Sequence, residues 1–460
     1  MAECRARKRA VVLVPMPLQG HMTPMLQLGS ILYSKGFSIV VAHSEFRPPN
    51  PLNHPEFIFH PLLDDSSGYK TSLVNLMDLI SAINSNCRAP LQEYLGQLKK
   101  DQTLEGCQVA CVIYDSVLFF VDSVATQLNI PGIVLRTSMA SYMLLYRCIF
   151  QLQAQNLIPF PESRLQEPIP ELYPLRFKDL PFSITAEISE ELMDFFDSMV
   201  NIRSSVAVIF NTTDCLEHSS LSLLQKQYQV PFFPIGPFHK MAPAASTSFL
   251  EEDQTCIAWL EKQAPNSVLY VSLGSIAIIN EQELTETAWG LANSGIPFLW
   301  VVRCDSVNEA QSVDHFLDGH FKESVGERGL IVKWAPQKKV LAHRAVGGFW
   351  SHCGCNSTIE SICEGVPMIC RPLFGDQRLN ARYLTCVWKV GLEMENVWDR
   401  GSIEKATRRL MIDTEGKEMR QDMLLMKDKI EASLQKGGSS YESLIDLTQF
   451  INSFSTAARE

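Results

Sequence analysis

The sequence predicts an α/β protein made of two doubly wound domains, each built on a parallel sheet, facing a cleft. Three observations carry this. The chain has 460 residues, too many for one ordinary core. It opens as strand, loop, helix, strand, the start of a parallel sheet. The same alternation then restarts after a proline-rich stretch at residues 231–253, the best linker candidate. The division drawn from this gives an N-terminal domain at 1–240 and a C-terminal domain at 241–438. A last helix at about 439–460, after the Gly437-Gly438 break, can pack back on the first domain.

Residues 11–14 (VVLV) form a short buried strand, followed by the loop PMPLQGHM. Thr23 and Pro24 supply an N-cap and a first helical position, and the helix stops at Gly36. A second strand covers 37–42. The region 45–105 is less regular and carries Pro48, Pro49, Pro51 and Pro55, with helical stretches near 73–83 and 91–99. Strands follow at 109–114, ending in Asp115, and at 133–135, with a helix at 117–128 between them. Thr137 and Ser138 are placed to cap the next helix. The proline-rich residues 155–183 read as a long surface loop, and 205–210 as a strand ending at Asn211. After the linker, SVLYVSL is a strand ending in Gly274-Ser275, and Asn280 with Glu283 forms a capping-box pattern before a helix to Gly295. Strands at 298–302 and 329–333 lead to the run VGGFW. That run enters a helix ending near Gly365 through the turn 351–357. The tail is helical from 417 to 434, and Ser439 with Glu442 repeats the capping-box pattern.

Composition narrows the class. Hydrophobic residues make up 46% and charged residues 20%, as in globular proteins. The net charge of −11 argues against nucleic acid or an anionic membrane as partner. Arg5, Arg7, Lys8 and Arg9 read as a solvated tail. The apolar run behind them is short, contains two prolines and lacks a cleavage-like site, so it is not a signal peptide. No apolar run is long enough to span a bilayer. Thirteen cysteines, an odd number scattered mostly within apolar segments, fit reduced thiols in a cytoplasmic protein better than a disulfide framework.

In open α/β sheets ligands sit outside the carboxyl ends of strands. In the first half His21, Asp115 and Thr137 meet that condition. A histidine there can serve as general base, with a carboxylate on its other nitrogen fixing the tautomer. Equally, His21 can bond its own loop and Asp115 can cap a helix. In the second half the same condition selects Gly274, Ser275, Trp334, Gln337, His352, Asn356, Ser357, Glu360, Asp376 and Gln377. The turn 351–357 brings unpaired N–H groups and a positive helix end to one spot, a phosphate-binding arrangement. Trp334 offers a flat face to a base, Glu360 suits the two hydroxyls of a ribose, and Asp376 with Gln377 suits sugar hydroxyls. Each alone has an ordinary alternative, as core tryptophan, surface glutamate or turn aspartate. Their value lies in recurring within one short stretch. The cysteines near His352 do not make a zinc site: Cys353 and Cys355 lack the usual spacing and Cys363 falls at an apolar helical position.

Residues 334–377, with WAPQ, HCGCNSTIES, EGVPM and the closing DQ, resemble the signature box of the plant UDP-dependent glycosyltransferases that modify small molecules. PLQGHMTPMLQLG, SVLYVSLGS and GGSSYESL extend the resemblance over nearly the whole chain. It is strongest toward the branch that includes steviol-glycoside and benzoxazinoid glucosyltransferases. The resemblance implies two Rossmann-like domains of the GT-B type and an inverting transfer of glucose from UDP-glucose to a hydroxyl of a small apolar metabolite. It makes His21 the general base and Asp115 its partner. Trp334, Ala335, Gln337 and Glu360 would bind the nucleoside. Ser275, His352, Gly354, Asn356 and Ser357 would bind the diphosphate, and Thr137, Cys355, Asp376 and Gln377 the sugar. No cofactor or metal is implied, and a monomer is expected.

One position departs from that pattern. The family usually has tryptophan where this chain has Cys355. The loss of an indole implies a roomier sugar pocket, so another UDP-sugar, or a chain that binds nucleotide sugar without turnover, is the alternative. Gln377 favours glucose by family pattern. A nicotinamide oxidoreductase would want G-x-G-x-x-G after the first strand, where the chain has PLQGHMTPM. The acceptor is expected against the loops 45–90, 139–200 and 276–280, with Asn84, Met139 and Ile276 as lining and a terpenoid or phenolic hydroxyl as the group that fits.

Overall fold

The computed structural model describes residues 9–63, 76–101, 108–202, 204–243, 248–276, 278–303, 319–394 and 398–454. The chain separates into two compact units. Met1–Ile158, Glu187–Phe249 and Ala432–Glu460 form the first; Pro159–Ala186 and Leu250–Glu431 form the second. Arg5, Arg7 and Lys8, residues 73–75 of an expected helix, and parts of the loops 45–90 and 276–280 lie outside the described residues.

In the first unit a seven-stranded sheet takes the order β3-β2-β1-β4-β5-β6-β7. Its strands are β1 (Arg9–Val14), β2 (Ser38–Ser44), β3 (Ile58–Leu62), β4 (Gln108–Asp115), β5 (Gly132–Arg136), β6 (Ala207–Phe210) and β7 (Phe232–Pro234). Every neighbouring pair is parallel. The helices used below are α1 (Gln19–Ser34), α2 (Leu76–Asn86), α3 (Phe120–Gln127) and α4 (Ser141–Ala154). Ala10, Val11, Val12 and Leu13 are fully buried, as a strand covered on both faces requires. The chain runs outward from β1 to β3, then returns to the other side of β1 with β4. The strand order therefore reverses between β1 and β4.

The second unit repeats the plan with six parallel strands in the order β10-β9-β8-β11-β12-β13. They are β8 (Val268–Ser272), β9 (Phe298–Val301), β10 (Gly329–Val332), β11 (Val346–Ser351), β12 (Met368–Cys370) and β13 (Gly391–Glu393). Its helices include α5 (Glu281–Ser294), α6 (Cys355–Glu364), α7 (Gln377–Arg382) and α8 (Arg400–Met411). Asn280 and Glu283 cap α5 reciprocally. Here the order reverses between β8 and β11. The terminal helix α9 (Ser439–Ser453) belongs to the first unit, where Leu444, Leu447 and Ile451 join the core of Val11, Leu13, Ile113 and Ile209.

Several expected elements differ. Helix α1 starts at Gln19, because the N–H groups of His21 and Met22 both reach the Leu18 carbonyl (2.9 and 2.8 Å). Thr23 and Pro24 thus lie inside the helix, and His21 sits in its first turn instead of a loop. Thr137 and Ser138 do not cap α4. Buried Glu217 accepts the N–H groups of Ala140 and Ser141 instead, each at 2.9 Å. Ser439 does not cap α9; Gly438 is the N-cap, and Glu442 accepts the N–H of Gly437. Strand β3 was not expected, since IFHPL mixes polar residues with a proline. Part of the expected linker, Phe232–Pro234, is strand β7.

The segment Pro159–Ala186 is not a surface loop of the first domain. It holds three 3₁₀ turns and buries Ile169, Leu175 and Leu180 within the second unit. Buried Arg176 is bidentate to Asp179 at 3.0 Å and reaches Glu393 at 3.3 Å. Arg382 donates to the Pro174 carbonyl at 2.9 Å. Such a buried ion pair is costly to break, since a lone partner would be left without compensation. The ten described cysteines are free thiols, eight of them buried. Among the described residues no helix is long and apolar enough to cross a membrane.

Candidate active site

In the first unit the functional candidates meet where the strand order reverses, at the carboxyl ends of β1 and β4, the position where such sheets bind ligands. Asp115 closes β4 and is fully buried; the side chain of His21 is 28% exposed. His21 Nδ1 stands 2.8 Å from Asp115 Oδ2. The other carboxylate oxygen, Oδ1, accepts the N–H of Val117 at 3.1 Å, which fixes the carboxylate's orientation. Thr137 Oγ1, just past β5, lies 3.1 Å from the same His21 nitrogen. A carboxylate there stabilises the tautomer with its proton on Nδ1, which places the lone pair on Nε2. The structure therefore brings His21, Asp115 and Thr137 together.

Two of the expected acceptor residues also lie in the first unit. Asn84 on α2 is buried. Its NH2 donates to the carbonyls of Ile80 (2.9 Å) and Val117 (2.8 Å), and its oxygen accepts the N–H of Phe120 (3.2 Å). The amide thereby braces the turn that follows Asp115. Met139 is fully buried. In the second unit, Ile276 is half-buried.

The second unit gathers its candidates at its own reversal point, around the carboxyl ends of β8 and β11. Gly274 and Ser275 follow β8; the turn from His352 to Gly354 follows β11 and leads into α6. Gly354 is the N-cap of α6, so the first N–H groups of the helix point into the turn. The His352 ring is wedged between two glycines. A Cβ on Gly274 would come within 2.6 Å of Cε1 and Nε2, and one on Gly354 within 2.6 Å of Nε2. Gly274 also has φ +83, a left-handed conformation that favours glycine. Burial pushes the His352 imidazolium down to about 4. A hydrogen bond to the Ser272 backbone opposes the shift, and the Arg303 charge adds to it. His352 is therefore neutral near pH 7.

The residues expected at a nucleoside form a hydrogen-bonded group in the same unit. Gln337 opens the short helix Gln337–Leu341. Its NH2 donates to Ser357 Oγ (3.0 Å) and Glu360 Oε2 (2.8 Å). Burial raises the Glu360 carboxyl pKa, and the Gln337 hydrogen bond works against that. Trp334 is half-buried between β10 and this helix, and Ala335 is buried. Tyr270 was not foreseen: buried in β8 among apolar residues, it donates to Gln337 Oε1 at 3.4 Å and stacks on Phe349. Its position gave no polar signal to read.

The expected sugar contacts divide between the units, Thr137 in the first and the others in the second. Cys355 is the first residue of α6 and is 6% exposed. Asn356, next to it, is half-buried. Asp376 is the N-cap of α7 and Gln377 its first residue. Gln377 Oε1 accepts the N–H groups of Leu373 (2.8 Å) and Phe374 (3.2 Å), which orients its NH2 away from the loop. Among the described residues no group of three or more His, Cys, Asp or Glu side chains is arranged to hold a metal.

Comparison with known proteins adds to this geometry. Residues 58–428 match the family described as UDP-glucoronosyl and UDP-glucosyl transferase. UDP-glycosyltransferase 76E1 of Solanum lycopersicum is 55% identical over 448 residues, covering 97% of this chain and 93% of its own length. Flavonol 3-O-glucosyltransferase UGT76E12 of Arabidopsis thaliana is 45% identical over 457 residues, 98% of each. Os79 from O. sativa, solved in complex with UDP, matches at 25% identity with a TM-score of 0.81, over 96% of this chain and all of that one. Phytolacca americana UGT2, solved with UDP-2fluoro-glucose and pterostilbene, matches at 27% identity with a TM-score of 0.81, over 97% of this chain and 99% of that one.

Proposed function

The chain belongs to the plant family of UDP-dependent glycosyltransferases, and on that premise we propose that it transfers glucose from UDP-glucose, with inversion, to a hydroxyl of a small apolar phenolic or terpenoid acceptor. One observation carries the catalytic part: His21 Nδ1 lies 2.8 Å from a fully buried carboxylate. His21 Nε2 takes the proton from the acceptor hydroxyl. The resulting oxygen attacks the anomeric carbon while the bond from that carbon to the diphosphate oxygen breaks. UDP departs on the opposite face, so configuration inverts. Asp115 holds the base in its working tautomer and offsets the imidazolium charge.

The donor falls mostly to residues of the second unit. Trp334, Ala335, Gln337 and Glu360 bind the nucleoside. Ser275, His352, Gly354, Asn356, Ser357 and the N-terminus of α6 bind the diphosphate and meet the charge that develops on it. Thr137, Cys355, Asp376 and Gln377 bind the sugar. This set supplies the leaving group's stabilisation from N–H donors, so the reading includes neither a cofactor nor a metal and takes the enzyme to act as a monomer. A phenolic acceptor draws support from the relative named as a flavonol 3-O-glucosyltransferase and from the pterostilbene complex.

The test is turnover of labelled UDP-glucose against a panel of phenolic and terpenoid alcohols, alongside the His21→Ala variant. We expect product with the unaltered chain. The variant should lose about a hundredfold or more of turnover with UDP affinity unchanged. Turnover kept by the variant would end the general-base assignment. UDP affinity without product from the unaltered chain would favour a binding protein. Cys355 supports a second donor reading, and a panel of UDP-sugars in the same assay decides it. A chelator should leave activity intact.

A further inference from the structure

Asn380 lies on α7 and is completely buried. Its Nδ2 donates to two acceptors from different parts of the second unit. One is the Cys353 carbonyl at 2.9 Å, the other Asp376 Oδ2 at 3.0 Å. Both neighbours are acceptors, so the amide can face them only with its NH2 end. Its oxygen is then turned to a buried side, where it has no hydrogen-bond partner among the described residues. A buried carbonyl without a partner is unfavourable. The side chain keeps this orientation because the alternative would set its oxygen against a carbonyl and a carboxylate.

The two groups it holds belong to neighbouring subsites. Cys353 is the middle residue of the turn His352–Gly354 and has φ +64, a left-handed conformation that costs energy for a residue with a side chain. Its N–H is pinned by Ser351 Oγ at 3.1 Å and its carbonyl by Asn380. The strained peptide between Ser351 and Gly354 is thereby fixed from both sides, and with it the His352 ring. Asp376 is the carboxylate at the start of α7, and Asn380, one turn later, holds its side chain from behind.

We propose that Asn380 is a positioning residue that couples the diphosphate turn to the sugar-binding carboxylate through one amide nitrogen. The proposal rests on the donor-site reading above and names a device within it. It accounts for an asparagine at the centre of a core that an apolar residue would fill without an orphaned oxygen.

The test uses the full-length protein with UDP and with UDP-glucose. Asn380→Asp replaces the donor by an acceptor facing two acceptors; Asn380→Ala removes the donor without adding charge. UDP affinity should fall about tenfold in both, the effect of losing one buried hydrogen bond. UDP-glucose affinity should fall further than UDP affinity, because the Asp376 carboxylate loses its hydrogen bond from Asn380 too. A filler of merely structural value would lower the melting temperature and leave the UDP-glucose to UDP ratio unchanged. Folded Asn380→Ala protein with native affinity for both ligands would overturn the proposal alone. Absence of UDP binding by the unaltered chain would overturn the donor-site reading together with it.

Discussion

His352 shows how one ring can be tuned by its packing. Wedged between Gly274 and Gly354, it is neutral near pH 7, with its imidazolium pushed down to about 4. A neutral imidazole has a single N–H, and the Ser272 backbone is one of its hydrogen-bond partners. A phosphate oxygen at the other nitrogen requires a second proton. If the ring faces the diphosphate, donor binding raises its pKa, and between the free and bound values it takes up a proton. The sign follows: affinity for UDP-glucose, whose diphosphate diester does not titrate there, rises as pH falls below neutrality toward the free ring's value of about 4. Calorimetry in buffers of different ionisation enthalpy measures the uptake directly. A flat affinity and buffer-independent heat would show that the ring does not face the phosphate. Gly354→Ala should weaken UDP binding at least tenfold, since its Cβ would occupy the space of Nε2. At the next residue, Cys355→Trp should raise the preference for UDP-glucose over other UDP-sugars by about tenfold, the worth of one buried aromatic contact. An unchanged preference would mean that the sugar does not meet this position.

At the scale of elements, α9 does more than end the chain. Leu447 and Ile451 are fully buried in the core of the first sheet. Leu447→Ala should cost about 3 kcal/mol, read as an earlier thermal transition of the first unit; an unshifted transition would mean that α9 docks only superficially. Elements of this kind were legible to different degrees. Buried parallel strands announce themselves as apolar runs, so VVLV, SVLYVSL and VGGFW were read near their true places. Strand β3 was not, because His60 and Pro61 break its apolar character and pairing with β2 supplies what its own sequence lacks. The Thr23-Pro24 pair imitates a helix start, yet the burial of Met22 and Met25 carries α1 upstream past it. The cap of α4 comes from Glu217, far away in sequence, which no local pattern can reveal. Within the site, strand ends pointed to His21, Asp115 and His352. Tyr270 and Asn380 stayed hidden, because a polar group buried among apolar residues is recognised only when its partners are in place.

At the scale of the molecule, the two sheets have separate cores, and a chain of two domains is expected to depart from a single two-state transition. Denaturation should show two transitions. UDP at a hundredfold excess over its Kd should stabilise the second unit by about 2.7 kcal/mol, with hydrogen-exchange protection appearing in residues 159–186 and 250–431 and not in 9–158. Protection confined to the first unit would contradict the donor-site assignment. The alternation of strand and helix made two domains legible in the sequence. Their composition was less so, because the ion pairs that hold Pro159–Ala186 join residues about two hundred positions apart in the chain, such as Arg176 and Glu393.

The chain passes between the two units at residues 158–159, 186–187, 249–250 and 431–432. This governs how the protein can be recombined with its relatives. A chimera joined once, near residue 250, inherits α9 from the donor-side parent and Pro159–Ala186 from the acceptor-side parent, so each unit receives a foreign piece in its packing. A graft that follows all four crossings keeps every core whole. Shuffling by single crossovers should then yield mostly unstable hybrids, even between parents that share fold and donor.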